Sequence, residues 1–285
     1  MTEARLQVLA AALLFSTGGA AIKAIDLTGW QIASFRSGVA ALVLLLVVPA
    51  ARRIFSWRVI AVGVAYAMTL VCYVLANRLT TAANTIFLQS AAPFYLLLLA
   101  PWLLGERTRR RDLALMAVMA GGLALFFFAD DTPSATAPAP VAGNQLAVLA
   151  GVSWAFVVVG LRALGRREGG GGVALAAVTA GNLIAFLAAL PLALPSTGGA
   201  AGDWGIVLFL GTIQIGVAYL FLTAGVRRLP AMETSLLLLV EPVINPVWAW
   251  WLHGERPAGW ALAGGALILG ATVVNLLDRR RRPPA

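Results

Sequence analysis

Glu241 is the residue whose type and position point most directly to chemistry. It precedes Pro242 in the middle of an apolar run from Ala231 to Leu252, a depth at which an ionised carboxylate is costly unless it is paired, solvated or protonated. Three roles suit it: holding a substrate ammonium group, taking up a proton that couples solute movement to a gradient, or standing as a neutral acid hydrogen-bonded to a neighbouring helix. Asn245 and Trp248 follow four and seven residues later on the same helical face, so the three form one stripe. Pro242, and Pro93 in an earlier run, each remove a backbone hydrogen bond and free the carbonyl four residues before, at Leu238 and Gln89. That pair reads either as a hinge or site, or as simple helix curvature with the carbonyls satisfied by neighbouring helices.

Other polar residues stand out against apolar surroundings. Tyr66, Tyr73 and Asn77 share a face, and Ser16 and Thr17 mark the middle of the first run. Trp154, Asn182, and Gln214 with Tyr219 are further polar or aromatic candidates in the second half, with no face assigned to them. Each serves either as cavity lining or as hydrogen-bonding glue between helices, and a mid-depth tryptophan either stacks on a substrate or packs. Arg36 lies about two turns into its run; it snorkels outward, neutralises Glu241 as a coupling or gating link, or attracts a substrate carboxylate.

These residues need elements that hold them in a membrane. The chain has 285 residues, 60% hydrophobic and 12% charged, with a mean hydropathy of +0.87, which excludes an ordinary soluble domain. Runs of about 20 apolar residues, enough to cross the hydrocarbon as helices, recur along it. Only helices or closed barrels satisfy the backbone in lipid, and the runs lack the alternation of barrel strands, so the fold expected is an all-α membrane protein. Ten transmembrane helices are placed at Leu6–Ile25, Trp30–Ala50, Arg58–Ala76, Ala83–Leu104, Leu113–Ala129, Gln145–Leu164, Val173–Leu194, Trp204–Val226, Ala231–Leu252 and Gly259–Leu277. The first is read as an uncleaved helix, since Glu3 and Lys23 do not fit a signal peptide.

With a cytoplasmic N-terminus, seventeen arginines fall in inside segments and only Lys23, Arg78 and Arg256 in outside ones. That bias places both termini in the cytoplasm. It also explains the net charge of +9 without nucleic acid, for which no binding is expected.

The halves repeat. Pro93, Trp102 and Gly105-Glu106-Arg107 recur 149 residues later as Pro242, Trp251 and Gly254-Glu255-Arg256, and the same offset pairs Arg78 with Arg227, Thr85 with Thr234 and Gly121 with Gly270. Five helices per copy is odd, so the second copy enters the membrane inverted, the architecture of alternating access. The domains expected are a first repeat at 1–129, a periplasmic linker at 130–144, a second repeat at 145–278 and a basic cytoplasmic tail at 279–285.

With its helix count, inverted repeat, Ala33-Ser34-Phe35-Arg36 segment and paired Pro93–Arg107 and Pro242–Arg256 motifs, the chain resembles the drug/metabolite transporter superfamily, whose members carry two EamA domains. The resemblance covers almost the whole length and is strongest to bacterial exporters of amino acids, aromatic ones included, and related metabolites. It implies export across the bacterial inner membrane through a central cavity lined by both halves; other branches move sugars, drugs or quaternary amines. No arginine in the second repeat matches Arg36.

The site residues expected are therefore Glu241, Asn245, Trp248, Gln89, Pro93, Pro242, Tyr73, Asn77, Ser16, Trp154 and Gln214 for substrate, with Glu241 and Arg36 for coupling or gating. Gly-Glu-Arg at either surface is read as a structural cap. A single Cys72 and a single His253 leave no disulfide and no zinc cluster, and no cofactor or metal is expected. A membrane enzyme is the alternative of another class, but no zinc-protease, nucleophile-elbow or phosphate-loop motif is present. Without a nucleotide site, a secondary carrier is favoured over a pump. Gly121, Gly122, Gly264, Gly265 and Gly270 allow close helix packing within a monomer or in a homodimer.

Overall fold

Apolar runs of this kind satisfy their backbone only within themselves. A computed structural model of the protein describes residues 2–52, 56–104, 110–128, 132–168, 171–196, 198–229 and 231–280, and the described residues are all-helical apart from turns and an isolated bridge between Ser134 and Ala137. In chain order the helices are α1 (Thr2–Ser16), α2 (Gly18–Lys23), α3 (Gly29–Val47), α4 (Trp57–Leu79), α5 (Ala82–Ser90), α6 (Ala92–Leu104), α7 (Arg110–Phe128), α8 (Pro140–Glu168), α9 (Gly171–Ala193), α10 (Ala201–Phe209), α11 (Ala218–Val226), α12 (Ala231–Leu238), α13 (Val240–His253) and α14 (Gly259–Arg280). A short 3₁₀ turn covers Pro49–Arg52, and a π-helical segment, Leu210–Val217, joins α10 to α11.

Among the described residues, eight helical stretches are long and apolar enough to cross a membrane. Two shorter apolar helices, Ala82–Leu98 and Asp112–Phe127, occupy the positions of the fourth and fifth expected spans. The helix count is thus eight clear spans plus two shorter ones. Gly105-Glu106-Arg107, residues 129–131 where the first repeat meets the linker, and residues 281–285 of the basic tail lie outside the described residues.

Three expected spans are broken. The fourth breaks at Ala91, two residues before Pro93, and the ninth at Leu239, three before Pro242. The lost amide donors of the prolines explain both. The first breaks at Thr17 without a proline; there the hydroxyls of Ser16 and Thr17 donate to the carbonyls of Leu13 and Leu14, both at 2.7 Å, and compete with the helical ladder.

The packing is unchanged when the halves are exchanged. The second and seventh spans, α3 and α9, pack together; so do the fifth and tenth, α7 and α14. The third span packs on the sixth (α4 on α8), and its counterpart, the eighth, packs on the first (α11 on α1). At the α7–α14 contact Gly122 and Gly264 face each other's carbonyl so closely that a Cβ added at either would lie 2.9 Å or 2.6 Å from it. Close packing within the chain therefore occupies these glycines, while Gly121 and Gly270 have open space around them.

Candidate functional site

The broken helices and the π segment surround one cavity of about 410 Å³. Of the residues singled out in the sequence, Arg36, Tyr66, Tyr73, Gln89, Pro93, Trp154, Gln214, Tyr219, Glu241 and Pro242 line it, so both halves contribute. Neither Arg36 nor Glu241 takes part in an ion pair among the described residues. A cation and a carboxyl thus face one space without neutralising each other.

Arg36 does not snorkel. It is 1% exposed, donates from a terminal nitrogen to the Leu70 carbonyl at 3.2 Å, and holds its guanidinium 5.9 Å from the centroid of the Tyr73 ring. Its Nε has no hydrogen-bond partner. A fully buried arginine with a spare donor at a cavity wall is poised to take an acceptor from a ligand. Gln214 sits in the π-helical segment, a form of helix that recurs at functional sites. Its amide nitrogen donates to the Phe15 carbonyl at 3.3 Å, and its Oε1 is left unpartnered. Gln89 likewise keeps a buried, unpartnered Oε1 just before the Ala91 break.

Part of the lining is aromatic. Tyr66 lies 6.2 Å from Trp154 and 5.9 Å from Tyr219 between ring centroids, and Phe15 packs edge-on to Tyr219 at 5.2 Å. Such a wall accepts apolar or aromatic side chains and cations alike.

The remaining candidates sit beside the cavity without lining it. Asn245 donates to the Tyr73 hydroxyl at 3.3 Å, Trp248 Nε1 donates to Ser16 Oγ at 3.1 Å, and Asn77 donates to the carbonyl of Tyr73 in its own helix at 2.9 Å. Helix rise explains the split: Asn245 and Trp248 lie about 6 Å and about 10 Å further along the axis than Glu241, where α13 meets α1 and α4. They tie the two halves together beyond the end of the cavity.

Several lining residues carried no weight in the sequence. Thr272 and Asn275 of α14, Ser90 and Ser235 add polar groups at the far end. Thr272 and Asn275 are polar residues three apart in a mainly apolar helix, and that spacing is the signal that could have found them. Glu255 exceeds the helix-capping role read from Gly-Glu-Arg. Gly254 does cap α13, with φ of +63°, and this turn sends the Glu255 carboxylate back into the bundle, 5% exposed, where it accepts from the Ala82 amide at 2.6 Å and pairs with Lys23 at 3.1 Å. Among the described residues no group of acids, histidines and cysteine is arranged to hold a metal.

Comparison with known proteins accords with this architecture. The model of the EamA-like transporter family matches the chain twice, at residues 4–128 and 141–277. The pseudopaline exporter CntI of Pseudomonas aeruginosa is 27% identical over 94% of each chain. The threonine/homoserine exporter RhtA of Salmonella typhimurium is 28% identical over 50% of this chain and 47% of its own, and an uncharacterized transporter of Archaeoglobus fulgidus is 25% identical over 73% and 72%. A solved crystal structure matches the fold with a TM-score of 0.63 over 99% of this chain and 100% of its own, at 24% identity. The relatives are transporters, the apolar helices make the chain a multi-pass membrane protein, and with both halves matched it belongs to the EamA-like transporter family.

Proposed function

We propose that the protein is a secondary transporter that exports amino acids and related zwitterionic metabolites across the bacterial inner membrane by alternating access. Its ten spans form two inverted five-helix repeats, at 1–129 and 145–278, with a periplasmic linker between them and both termini in the cytoplasm. The observation that carries the substrate class is the pair Arg36 and Glu241, lining one cavity and ion-paired to no described group. A solute that brings its own carboxylate and ammonium satisfies both, whereas a solute of single charge leaves one buried charge unmet. The exporter names of the relatives CntI and RhtA agree with this class.

Glu241 and Arg36 bind and couple; Gln89, Gln214, Tyr73 and Trp154 shape the site; Pro93 and Pro242 let their helices bend. Asn245, Trp248, Asn77 and Ser16 position the helices that hold these groups. A small molecule is the only ligand this mechanism needs, with the bilayer as its solvent. A second reading, a carrier of lipophilic or quaternary amines, rests on the aromatic wall of Tyr66, Trp154 and Tyr219 beside Glu241; Arg36 in the same cavity opposes it.

The deciding experiment is uptake into proteoliposomes of labelled amino acids, quaternary amines and sugars. Saturable flux of amino acids, competed by other zwitterions, supports the proposal. Flux confined to cations or sugars overturns the substrate class.

A further inference from the structure

Lys23 and Glu255 are two charges buried far from the cavity, in a part of the molecule that substrate binding does not use. Their side chains are 4% and 3% exposed, and Nζ lies 3.1 Å from Oε2. Lys23 ends α2 in the first half; Glu255 follows α13 in the second. The ammonium also donates to the Thr80 carbonyl at 2.9 Å and the Thr136 carbonyl at 2.6 Å, so two backbone carbonyls hold it in place beside the carboxylate. Thr136 belongs to the segment that connects the halves. One ion pair therefore binds both halves and their linker.

The surroundings are sealed as well. Thr80 Oγ1 donates to Asn144 Oδ1 at 2.8 Å, Arg78 donates to the Ile25 carbonyl at 3.0 Å, and His253 Nε2 donates to the Ala20 carbonyl at 2.8 Å. The cavity runs the other way along the same helices: Glu241 lines it while Glu255 follows the far end of α13, and Asn275 and Leu276 line it near the end of α14 that bears the arginines.

From this geometry we infer that Lys23 and Glu255 form the outer gate of the transporter, closed here while the cavity faces the arginine-rich side. The inference rests on the proposed alternating access and topology. A buried ion pair suits a reversible latch, because each charge regains its hydration when the pair opens, so the pair contributes little net stability. Loss of one partner is different: it strands a single buried charge and so favours the open, hydrated arrangement. Replacement of both by apolar residues removes the drive to hydrate and holds the seal shut.

The test reads gate opening without any solute, so its outcome is independent of what the protein carries. In a Cys72→Ala background, Ile86→Cys places a thiol in the cavity wall behind the seal. Spheroplasts are treated with a membrane-impermeant maleimide from outside, and inside-out vesicles from the cytoplasmic side confirm that each variant is folded with its cavity reachable. The expected result is slow outside labelling with the native pair and labelling faster by on the order of tenfold or more in Lys23→Gln or Glu255→Gln. Lys23→Met with Glu255→Leu is expected to label more slowly than the native pair. The conservative Glu255→Asp, which keeps the charge, stays near the native rate. Single neutralisations that label from outside at the native rate while remaining reachable from inside overturn the gate. Fast outside labelling with the native pair also overturns it, by placing the open side opposite to Lys23.

Discussion

The guanidinium of Arg36 lies over the ring of Tyr73, 5.9 Å from its centroid, and the hydroxyl of that same tyrosine accepts from Asn245 at 3.3 Å. A charge in the second span is thereby connected, through one aromatic residue, to the other half of the protein. Tyr73→Phe keeps the ring and removes only the hydroxyl, leaving Asn245 Nδ2 without a partner in a fully buried position. The loss is expected to be about 1–3 kcal/mol of stability, read as a lower melting temperature in detergent, with substrate still bound. Tyr73→Leu removes the face that supports Arg36 as well and is expected to raise KM for carboxylate-bearing solutes.

Arg36 itself is predicted to tolerate no conservative replacement. A lysine in its place keeps the charge but loses the planar fork that reaches the Leu70 carbonyl while lying against Tyr73. Arg36→Lys is expected to raise KM by about tenfold for zwitterionic solutes, equivalent to ~1.4 kcal/mol, with little effect on any singly charged amine that is carried. Equal losses for both solute types would assign Arg36 a structural role instead.

Glu241 is the group placed to take up a proton. If it couples transport, efflux of substrate from proteoliposomes accelerates when the opposite side is made acidic, because a proton enters the site as the solute leaves. In Glu241→Gln a neutral amide replaces the carboxyl and cannot carry the proton, so the gradient has no effect, whereas gradient-free exchange of labelled for unlabelled solute persists. A mutant that still responds to the gradient moves coupling to another residue, and flux in the native protein that ignores the gradient makes it a facilitator.

Much of this arrangement was legible in the sequence. Apolar runs placed the helices, and Pro93 and Pro242 marked two of the breaks, because a missing amide donor is a local property. The break at Thr17 and the π segment at Leu210–Val217 have no proline; they depend on side-chain hydroxyls and on packing that local sequence does not encode. Helical spacing groups Glu241, Asn245 and Trp248 on one stripe, but a stripe runs through the membrane, and of the three only Glu241 lines the cavity. The pairing of Lys23 with Glu255 was not legible, because they lie at opposite ends of the chain and each resembles an ordinary helix-end charge. Only the fold brings them together.

The two halves close on the broken first span around Gly19. Gly19 lies in α2, just past the Thr17 break, and a Cβ built there would sit 2.7 Å from Asn245 Oδ1, 3.1 Å from Asn77 Oδ1 and 3.1 Å from the Ala82 methyl. Asn77 and Asn245 are both fully buried, and neither Oδ1 has a hydrogen-bond partner, so neither can retreat into solvent. Gly19→Ala should therefore cost about 1–3 kcal/mol through overpacking and reduce flux. Shortening one obstructing side chain tests the cause: Asn245→Ala added to Gly19→Ala is expected to recover part of the lost melting temperature, since the nearest contact is gone. Gly121→Ala serves as the contrast, because nothing lies within 4 Å of its Cβ position, and a better helix former there is expected to leave stability unchanged or slightly raised. If Gly19→Ala and Gly121→Ala have the same melting temperature, the closure of the two asparagines on the first span is not what holds this end of the protein shut.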